Sequence, residues 1–229
     1  MSLTIKSEGD FEVLPVGQYE GVCYRIVDMG TRMEQPYKEG DKPKKRTTVN
    51  ITFELPNEKM EDGRPLSISR TYTQSLFESS ALRKDLVSWR GKNFTPDEEA
   101  GFDISNLLGK NALIEVAHTV NGKAKIGGIF KPDGGVQDTP TYNELTAFDM
   151  DVYCDEFNGN SSDKTKAMCD VFESLPEWQQ KDIEDSFEYK AANEGNNESK
   201  EVEEAEVVEE ESKGLADFKS DDDKDSIPF

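Results

Sequence analysis

The sequence predicts a mainly β fold, and three observations support this prediction. Residues 49–55 alternate strictly between apolar and polar side chains, which is the period of a strand with one buried face. Asn121-Gly122 separates two runs of β-forming residues and is the strongest short signal for a hairpin. Helix-forming patterns before the C-terminal part are confined to residues 79–109. We therefore expect strands to form the framework and helices to be inserted into it.

Five strands are expected between residues 16 and 132. The first is apolar on both faces at several positions, which indicates a central place in a curled sheet. Ser79 or Ser80 is expected to cap the first inserted helix, Gly91 to close it, and Thr95 to open a second, short helix by a capping box with Glu98. The predicted strands span residues 18–28, 48–55, 66–73, 111–120 and 123–130.

Five strands with a helix between the third and the fourth give the order of an OB-fold. This fold is a small, partly open barrel whose face and loops bind oligonucleotides or oligosaccharides. We therefore predict a mainly β chain: a five-stranded OB-fold barrel with a helical insert between strands 3 and 4, then a short helical segment and a disordered acidic tail. The loop between strands one and two, a usual binding loop of this fold, is predicted over residues 34–46.

Pattern and charge divide the chain into three segments: an OB-fold domain over 1–135, a helical extension over 136–190 and an acidic tail over 191–229. The net charge is −2 over residues 1–140 and −19 over residues 141–229. The acidity therefore does not argue against a nucleic-acid surface on the N-terminal part. The tail lacks the apolar residues to fold alone. For residues 141–190, a dimer contact, a lid on the barrel and a partner platform all stay open.

Motifs and composition give little support for an enzyme. The three cysteines have no metal or redox spacing, which indicates reduced thiols in a cytoplasm. We find no phosphate-cradling Gly-Lys-Ser/Thr loop, no zinc spacing and no Gly-x-Ser-x-Gly, and His118 is expected on the surface of a strand. No apolar run approaches the length of a membrane span. We expect a cytoplasmic protein without cofactor, metal, catalytic residues or membrane contact.

Basic residues are densest in the predicted loop between the first two strands. Proteins that bind single strands combine a positive groove for phosphates with aromatic platforms for bases. We therefore predict that this cluster contacts DNA, whereas the competing interpretation is an ordinary solvated loop. The candidates for phosphate contact are Lys38, Lys42, Lys44, Lys45 and Arg46 in the loop, and Arg25, Arg70, Lys123 and Lys125 along the barrel.

Four aromatic residues are candidates for stacking against bases: Tyr37, Tyr72, Tyr24 and Phe130. Tyr37 is the best one, because it lies in the basic loop, which offers no core to fill. Tyr72 lies on the third predicted strand, where packing in the core explains an aromatic residue equally well. Trp89, on the apolar face of the first predicted helix, is expected in the core.

The chain ends in an acidic run and a hydrophobic tip, Phe218-Lys-Ser-Asp-Asp-Asp-Lys-Asp-Ser-Ile-Pro-Phe229. A disordered tail has no core in which such a tip is buried, so we expect the tip and its carboxylate to dock in another protein. A solubilising extension is the competing interpretation, and whether the tail also competes with DNA stays open. The predicted partner contacts are Asp221, Asp222, Asp223, Asp225, Ile227, Pro228 and Phe229.

This ending resembles the tail of bacterial single-stranded-DNA-binding proteins. Residues 14–131 resemble the single-stranded-DNA-binding replication proteins of tailed bacteriophages, through Leu14-Pro-Val-Gly-Gln-Tyr-Glu-Gly21 and Ser80-Ala-Leu-Arg-Lys-Asp-Leu-x-x-Trp-Arg-Gly91. The resemblance implies an OB-fold that coats single-stranded DNA without sequence preference during phage DNA replication, recombination and repair. It also implies recruitment of a polymerase, helicase, primase or nuclease through the tail. Lys224 and Ser226 interrupt the acidic run and depart from the bacterial pattern.

Two other classes of function compete with this one. The alternative is an OB-fold adaptor for protein contacts, or an acidic mimic of DNA, without tight DNA binding. A mimic needs its carboxylates on a rigid surface, whereas here they lie mainly in the predicted tail. A recombination nuclease needs metal-binding carboxylates clustered within the fold, and no spacing in the sequence indicates such a cluster.

Overall fold

The computed structural model describes residues 13–34 and 42–194. The prediction of a mainly β chain with a helical insert between the third and fourth strands is confirmed. A further helical stretch covers residues 187–194. In chain order the elements are β1 (Gly17–Glu34), β2 (Lys44–Lys59), β3 (Pro65–Thr73), α1 (Ala81–Arg90), α2 (Pro96–Ala100), a 3-10 turn (Ile104–Leu107), β4 (Asn111–His118), β5 (Ala124–Phe130), β6 (Thr146–Phe148), α3 (Met150–Phe157), α4 (Asp163–Ser174) and α5 (Glu177–Glu184).

Strand β1 is the centre of the sheet, in which the strands follow the order β3-β2-β1-β4-β5. It pairs antiparallel with β4 over Gly17–Val22 and with β2 over Val22–Glu34. The ladder with β2 shifts register between Cys23 and Arg25, and such a bulge bends a strand. β6 pairs parallel with β1 at residues 25–27. At these residues β2 pairs with one edge of β1. The other edge is free of β4, whose ladder ends at Val22, and it pairs with β6.

The side chain of Arg70 bridges the two edge strands of the sheet, β3 and β5. Arg70 of β3 places its Nη1 3.4 Å from the carbonyl oxygens of both Ile126 and Gly127 in β5. No backbone ladder joins β3 to β5 in the described part of the chain, so the sheet is open. The predicted five-stranded barrel stays a prediction.

One face of the sheet packs against α1 around Trp89. Trp89 is fully buried, and its ring centroid lies 5.2 Å from that of Phe53 on β2. The indole Nε1 donates a hydrogen bond to the carbonyl of Asn111 on β4, at 2.7 Å. The predicted place of Trp89 in the core is therefore confirmed, and α1 is fixed to two strands at once.

The predicted ends of the inserted helices are confirmed. The side chain of Ser80 accepts a hydrogen bond from the backbone of Arg83, so Ser80 rather than Ser79 is the cap of α1. Gly91 ends α1 with φ +66°, a left-handed conformation that glycine adopts without the Cβ penalty. Thr95 and Glu98 form the reciprocal capping box of α2.

A second apolar cluster packs the helical extension against β1. Val27 and Met29 are completely buried, and they contact the extension instead of the core around Trp89. The extension contributes aromatic rings and aliphatic side chains from β6, α3, α4 and α5, among them Phe148, Tyr153 and Ile183. The apolar character of β1 on both faces thus reflects burial on both sides, one under α1 and one under the extension.

The structure differs from the sequence-based expectation at three places. β1 and β2 continue to Glu34 and from Lys44, so the predicted loop is shorter than 34–46. β6 was not predicted, because three residues are too few to show a period. The spacing Ser174-Leu-Pro-Glu177 predicts a capping box at the start of a helix, but this prediction is wrong. The Ser174 hydroxyl donates to the carbonyl of Val171, and α5 begins after Pro176 without a side-chain cap.

Candidate nucleic-acid interface

The far end of the β1–β2 hairpin is basic. The antiparallel register places Lys44, Lys45 and Arg46 opposite Glu34, Met33 and Arg32. Lys44, Lys45 and Arg46 are all exposed. Their placement on a strand corrects the expectation of a loop: backbone pairing continues here although the hydrophobic period has ended. A strand fixes the direction of these side chains more tightly than a loop does, which suits a preorganised surface.

The extension closes one side of this basic end and forms a pocket with it. The pocket has a volume of about 450 Å³ and is open to solvent. Phe187 of the extension is 40% exposed, and the Nζ of Lys45 lies 4.3 Å from the centroid of its ring. This basic pocket is lined by Arg32, Met33, Glu34, Arg46, Thr48, Asp185, Phe187 and Lys190.

Carboxylates hold several of the pocket's cations in place. Arg46 pairs with Glu34 and also donates to the Thr73 hydroxyl at 3.1 Å. Arg32 pairs with Asp182 of α5, and Lys190 with Asp185 at 3.1 Å. Such partly exposed pairs are weak, typically about 0–1 kcal/mol. Phosphate oxygens can therefore replace these carboxylates at a small free-energy cost.

Glu188 anchors the extension beside the pocket. Its Oε2 accepts a hydrogen bond from the backbone N–H of Thr31 at 2.8 Å. Burial acts to raise the pKa of Glu188, but the hydrogen bonds from Thr31 and the nearby charge of Lys45 outweigh it and lower that pKa. Glu188 is therefore a carboxylate at neutral pH and keeps the helical stretch docked on β1.

Lysines without a carboxylate partner among the described residues also lie at this end. Lys42 and Lys44 are exposed and form no ion pair there. Phosphate binding by such lysines needs no ion pair to break, and single-strand affinity rises with each phosphate that is neutralised. Lys42, Lys44, Lys45 and Arg46 therefore form, with the basic pocket, the strongest positive surface that the structure assembles from the predicted residues.

Tyr72 is not available for stacking, and the prediction that it is a platform is wrong. It is 3% exposed and packs within the core around Trp89. Its hydroxyl donates to the Asp85 carboxylate at 2.8 Å. Burial, together with this carboxylate, raises the pKa of Tyr72 strongly. Packing in this core therefore explains the apolar and aromatic residues of β3.

Arg70 serves mainly to hold the fold together. Its Nη1 lies 3.0 Å from Asp85 Oδ2 and bridges to β5, and the guanidinium lies 4.9 Å from the ring centroid of Tyr72. Burial raises the pKa of Asp85, while the hydrogen bond from Tyr72 and the charge of Arg70 act to lower it. A phosphate contact by Arg70 would have to break these interactions, so its role in DNA binding stays a prediction with less support.

The remaining predicted cations lie away from the basic pocket. Arg25 lies on β1, between β2 and β6, and is seven residues before the pocket residue Arg32. Its Nε is buried and has no hydrogen-bond partner among the described residues. Lys123 precedes β5 and Lys125 lies on it, exposed at the β4–β5 hairpin. The structure does not bring these three residues into the pocket.

Several predicted site residues lie outside the described residues. Among the candidates for DNA contact these are Tyr37 and Lys38. The whole predicted docking tail also lies outside: Asp221, Asp222, Asp223, Asp225, Ile227, Pro228 and Phe229.

Of the pocket's cations and aromatic rings, sequence reasoning found Arg46 and missed Arg32, Phe187 and Lys190. Phe187 and Lys190 lie about 140 residues after the basic cluster, in a segment whose role was open, so no local pattern connects them to it. One signal was present: they are three residues apart, which places them on one face of a helix. Arg32 was missed because the first strand was expected to end at residue 28.

A larger cavity, of about 620 Å³, lies between the sheet, α1 and α3. Four carboxylates are in its wall, those of Asp28, Asp103, Asp149 and Asp151, against the single cation of Lys164. Burial, together with the charges of Asp151 and Asp149, raises the pKa of Asp28 although its hydrogen bonds act in the opposite direction. A cavity with this excess of negative charge repels phosphates, so we do not assign DNA contact to it.

In the part of the chain that the structure describes, no three His, Cys, Asp or Glu side chains are arranged to hold a metal ion. Nor does any helix within these residues have the length and apolar character needed to cross a membrane. Comparison with protein-family models, curated proteins and solved structures gave no match to the chain.

Proposed function

We propose that this protein binds single-stranded DNA without sequence preference, through the basic end of the β1–β2 hairpin. The observation that carries the proposal is the basic pocket, where cations from two strands meet an exposed aromatic ring. Cations for phosphates beside a ring for bases are the two parts of a sequence-independent single-strand site. A duplex hides its bases from such a ring, so the arrangement favours the single strand.

We further propose that β1 to β5 form the partly open barrel of an OB-fold. The strand order β3-β2-β1-β4-β5 and the insertion of α1 between β3 and β4 agree with this fold. The bridge from Arg70 to β5 supports the approach of the two sheet edges. In an OB-fold, the loop between the first two strands borders the binding face, and the basic cluster follows that loop.

The resemblance to phage replication proteins extends the proposal to a biological role. In this role the protein coats single strands during phage DNA replication and recombination, in the cytoplasm of the bacterial host. The acidic tail with its Ile-Pro-Phe ending recruits a polymerase, helicase, primase or nuclease. Recognition of a terminal carboxylate and of acidic residues by basic pockets is a general mode of peptide binding.

The first test is binding of labelled poly-dT by the full chain, read by fluorescence anisotropy at several salt concentrations. We expect tight, salt-sensitive binding of poly-dT and weak binding of duplex DNA. In the double variant Lys44→Glu/Lys45→Glu, binding should weaken and its dependence on salt should flatten. Each lost phosphate contact lowers the slope of log K against log salt by about 0.7 for a single strand, so two contacts lower it by about 1.4.

The control variant is Lys59→Glu/Lys92→Glu, which makes the same change of charge elsewhere. Lys59 is at the opposite end of β2 and Lys92 follows α1, and both are exposed. An equal loss in this control would mean that net charge, and not the basic end, determines binding. If the unchanged chain binds neither poly-dT nor duplex DNA, the proposal fails and the adaptor function replaces it.

A further inference from the structure

The helical extension carries a second exposed aromatic residue near the basic pocket, Trp178 at the start of α5. It is 46% exposed, whereas the neighbouring Gln179 is fully buried. The amide of Gln179 donates to Asn50 Oδ1 on β2 at 3.1 Å. The next residue, Gln180, donates to the last carbonyls of α4. Two sides of α5 are thus used for packing, and Trp178 is on a third.

The flank of α5 that carries Trp178 is turned toward the basic pocket. Residues four apart lie on the same face of a helix, so Trp178 shares its flank with Asp182. Asp182 pairs with Arg32, which lines the pocket. Trp178 therefore lies about one helical turn before the residue that touches the pocket's wall, and Phe187 lies just beyond α5 in the wall itself.

The extension does not need these two rings for its own core. That core already contains Phe148, Tyr153, Phe157, Phe172 and Tyr189, whose rings are in mutual contact. Single exposed aromatic residues are ordinary on protein surfaces. Here two exposed rings lie on consecutive helical segments of the extension, and the cations Arg32, Lys45, Arg46 and Lys190 lie at the pocket. This combination is better explained by a ligand that has both flat rings and negative charges.

The position of α5 on β2 gives the distance between α5 and the basic pocket. Gln179 contacts Asn50, which is four residues after the pocket residue Arg46 on β2. At about 3.3 Å per residue, four residues span about 13 Å. Stacked nucleotides in a duplex strand rise about 3.4 Å each, so this distance corresponds to about four stacked bases and to fewer in an unstacked strand.

We propose that the extension is the second wall of the single-strand site, with Trp178 and Phe187 as base-stacking platforms and Arg32 and Lys190 as phosphate contacts. This inference rests on the proposed function and deepens it. It assigns DNA contacts to the extension as well as to the sheet. The extension is then part of the binding site and not a separate lid or partner platform.

Tryptophan fluorescence can test this because the chain has only two tryptophans. Trp89 is fully buried and Trp178 is half exposed. On titration with poly-dT, we expect the emission of Trp178 to be quenched in the full chain. The variant Trp178→Phe, which keeps an aromatic ring but leaves only Trp89 to report, should bind poly-dT with little change in emission.

Affinity gives the second readout. Trp178→Ala and Phe187→Ala should each weaken poly-dT binding by about 5- to 150-fold, the range found when one stacked base loses its aromatic partner. Phe77→Ala is the matched control, since Phe77 is 74% exposed but lies between β3 and α1. All three substitutions are at exposed positions, and an unchanged melting temperature will show that each variant is folded.

The outcomes separate this inference from the function on which it rests. If the full chain binds poly-dT but both alanine variants bind equally well and the emission does not change, the extension is not a wall of the site while DNA binding stands. If the full chain does not bind poly-dT at any salt concentration, both proposals fail. Weakening of the Phe77→Ala variant by the same factor would also contradict the assignment of the platforms to the extension.

Discussion

Ion pairs between single residues hold cations at the basic end of the hairpin. Arg32 and Lys190 are held by Asp182 and Asp185, so an incoming phosphate competes with a carboxylate of the same chain. These pairs are partly exposed, and solvent screens them. If the protein binds DNA as proposed, we expect the acidic residues of the extension to weaken this binding moderately while they align the cations that they hold.

At this scale we predict that Asp182→Asn raises the affinity for poly-dT, by up to about fivefold. We expect this gain because the substitution releases Arg32 from a partly exposed ion pair worth about 0–1 kcal/mol. Anisotropy titrations at low salt measure the change, and high salt should reduce it. Asp170→Asn, an exposed position on α4, removes the same charge and should have less effect. A larger gain in that control would point to net charge alone.

At the scale of elements, α5 docks on the sheet through buried polar groups. Asn50 is 1% exposed, and its Oδ1 accepts hydrogen bonds from Gln179 and from the Thr52 hydroxyl. Its Nδ2 donates to the Thr71 hydroxyl on β3 at 2.9 Å. One asparagine thus connects β2, β3 and α5. Because buried polar groups without partners are costly, this network fixes where α5 sits.

We predict that Asn50→Ala lowers the free energy of unfolding by about 1–3 kcal/mol, because it leaves the amide of Gln179 buried without its partner. Urea denaturation followed by circular dichroism measures this. Asn57→Ala, at an exposed position near the end of the same strand, should stay within about 0.5 kcal/mol of the unchanged protein. Equal stabilities of the two variants would show that the buried network does not hold α5.

The elements also show what the sequence could and could not predict. Strands with one polar face and helices with clear caps, such as the ends of α1 at Ser80 and Gly91, were predictable because their signals are local. The extra length of β1 and β2 was not, since charged residues pair in a ladder without any apolar period. The pocket was only half predictable: Lys45 belongs to a dense local cluster, whereas Phe187 reaches it by tertiary packing alone.

For the whole molecule, the extension and the strands share one structure. Val27 and Met29 of β1 are buried only because the extension covers them. A boundary after residue 135 therefore separates two segments that the fold needs together. Residues 191–194 still belong to the described helical stretch, and Ala192 is buried in the cluster with Val27.

We predict different results for two truncations. A chain ending at residue 194 keeps every described contact, so it should melt like the full chain and bind poly-dT at least as tightly. If the tail recruits replication proteins, this chain should no longer pull them down from a host extract.

A chain ending at residue 135 exposes Val27 and Met29 and should aggregate or unfold. Calorimetry and anisotropy of the two chains measure these outcomes, and a stable, DNA-binding chain of 135 residues would contradict the shared structure.

The parallel pairing of β6 with β1 has a consequence for how the chain acquires its fold. Strand β1 is covered by segments that are synthesised much later, since it pairs with β6 and the hydrogen bond between Thr31 and Glu188 spans 157 positions. Closing such distant contacts makes folding slow, because chain entropy is lost before the contacts form. While the chain is being made, β1 has one apolar side uncovered until the extension is synthesised. Until then, this side of β1 can associate with other incomplete chains, and the basic pocket is complete only after Lys190 has been synthesised.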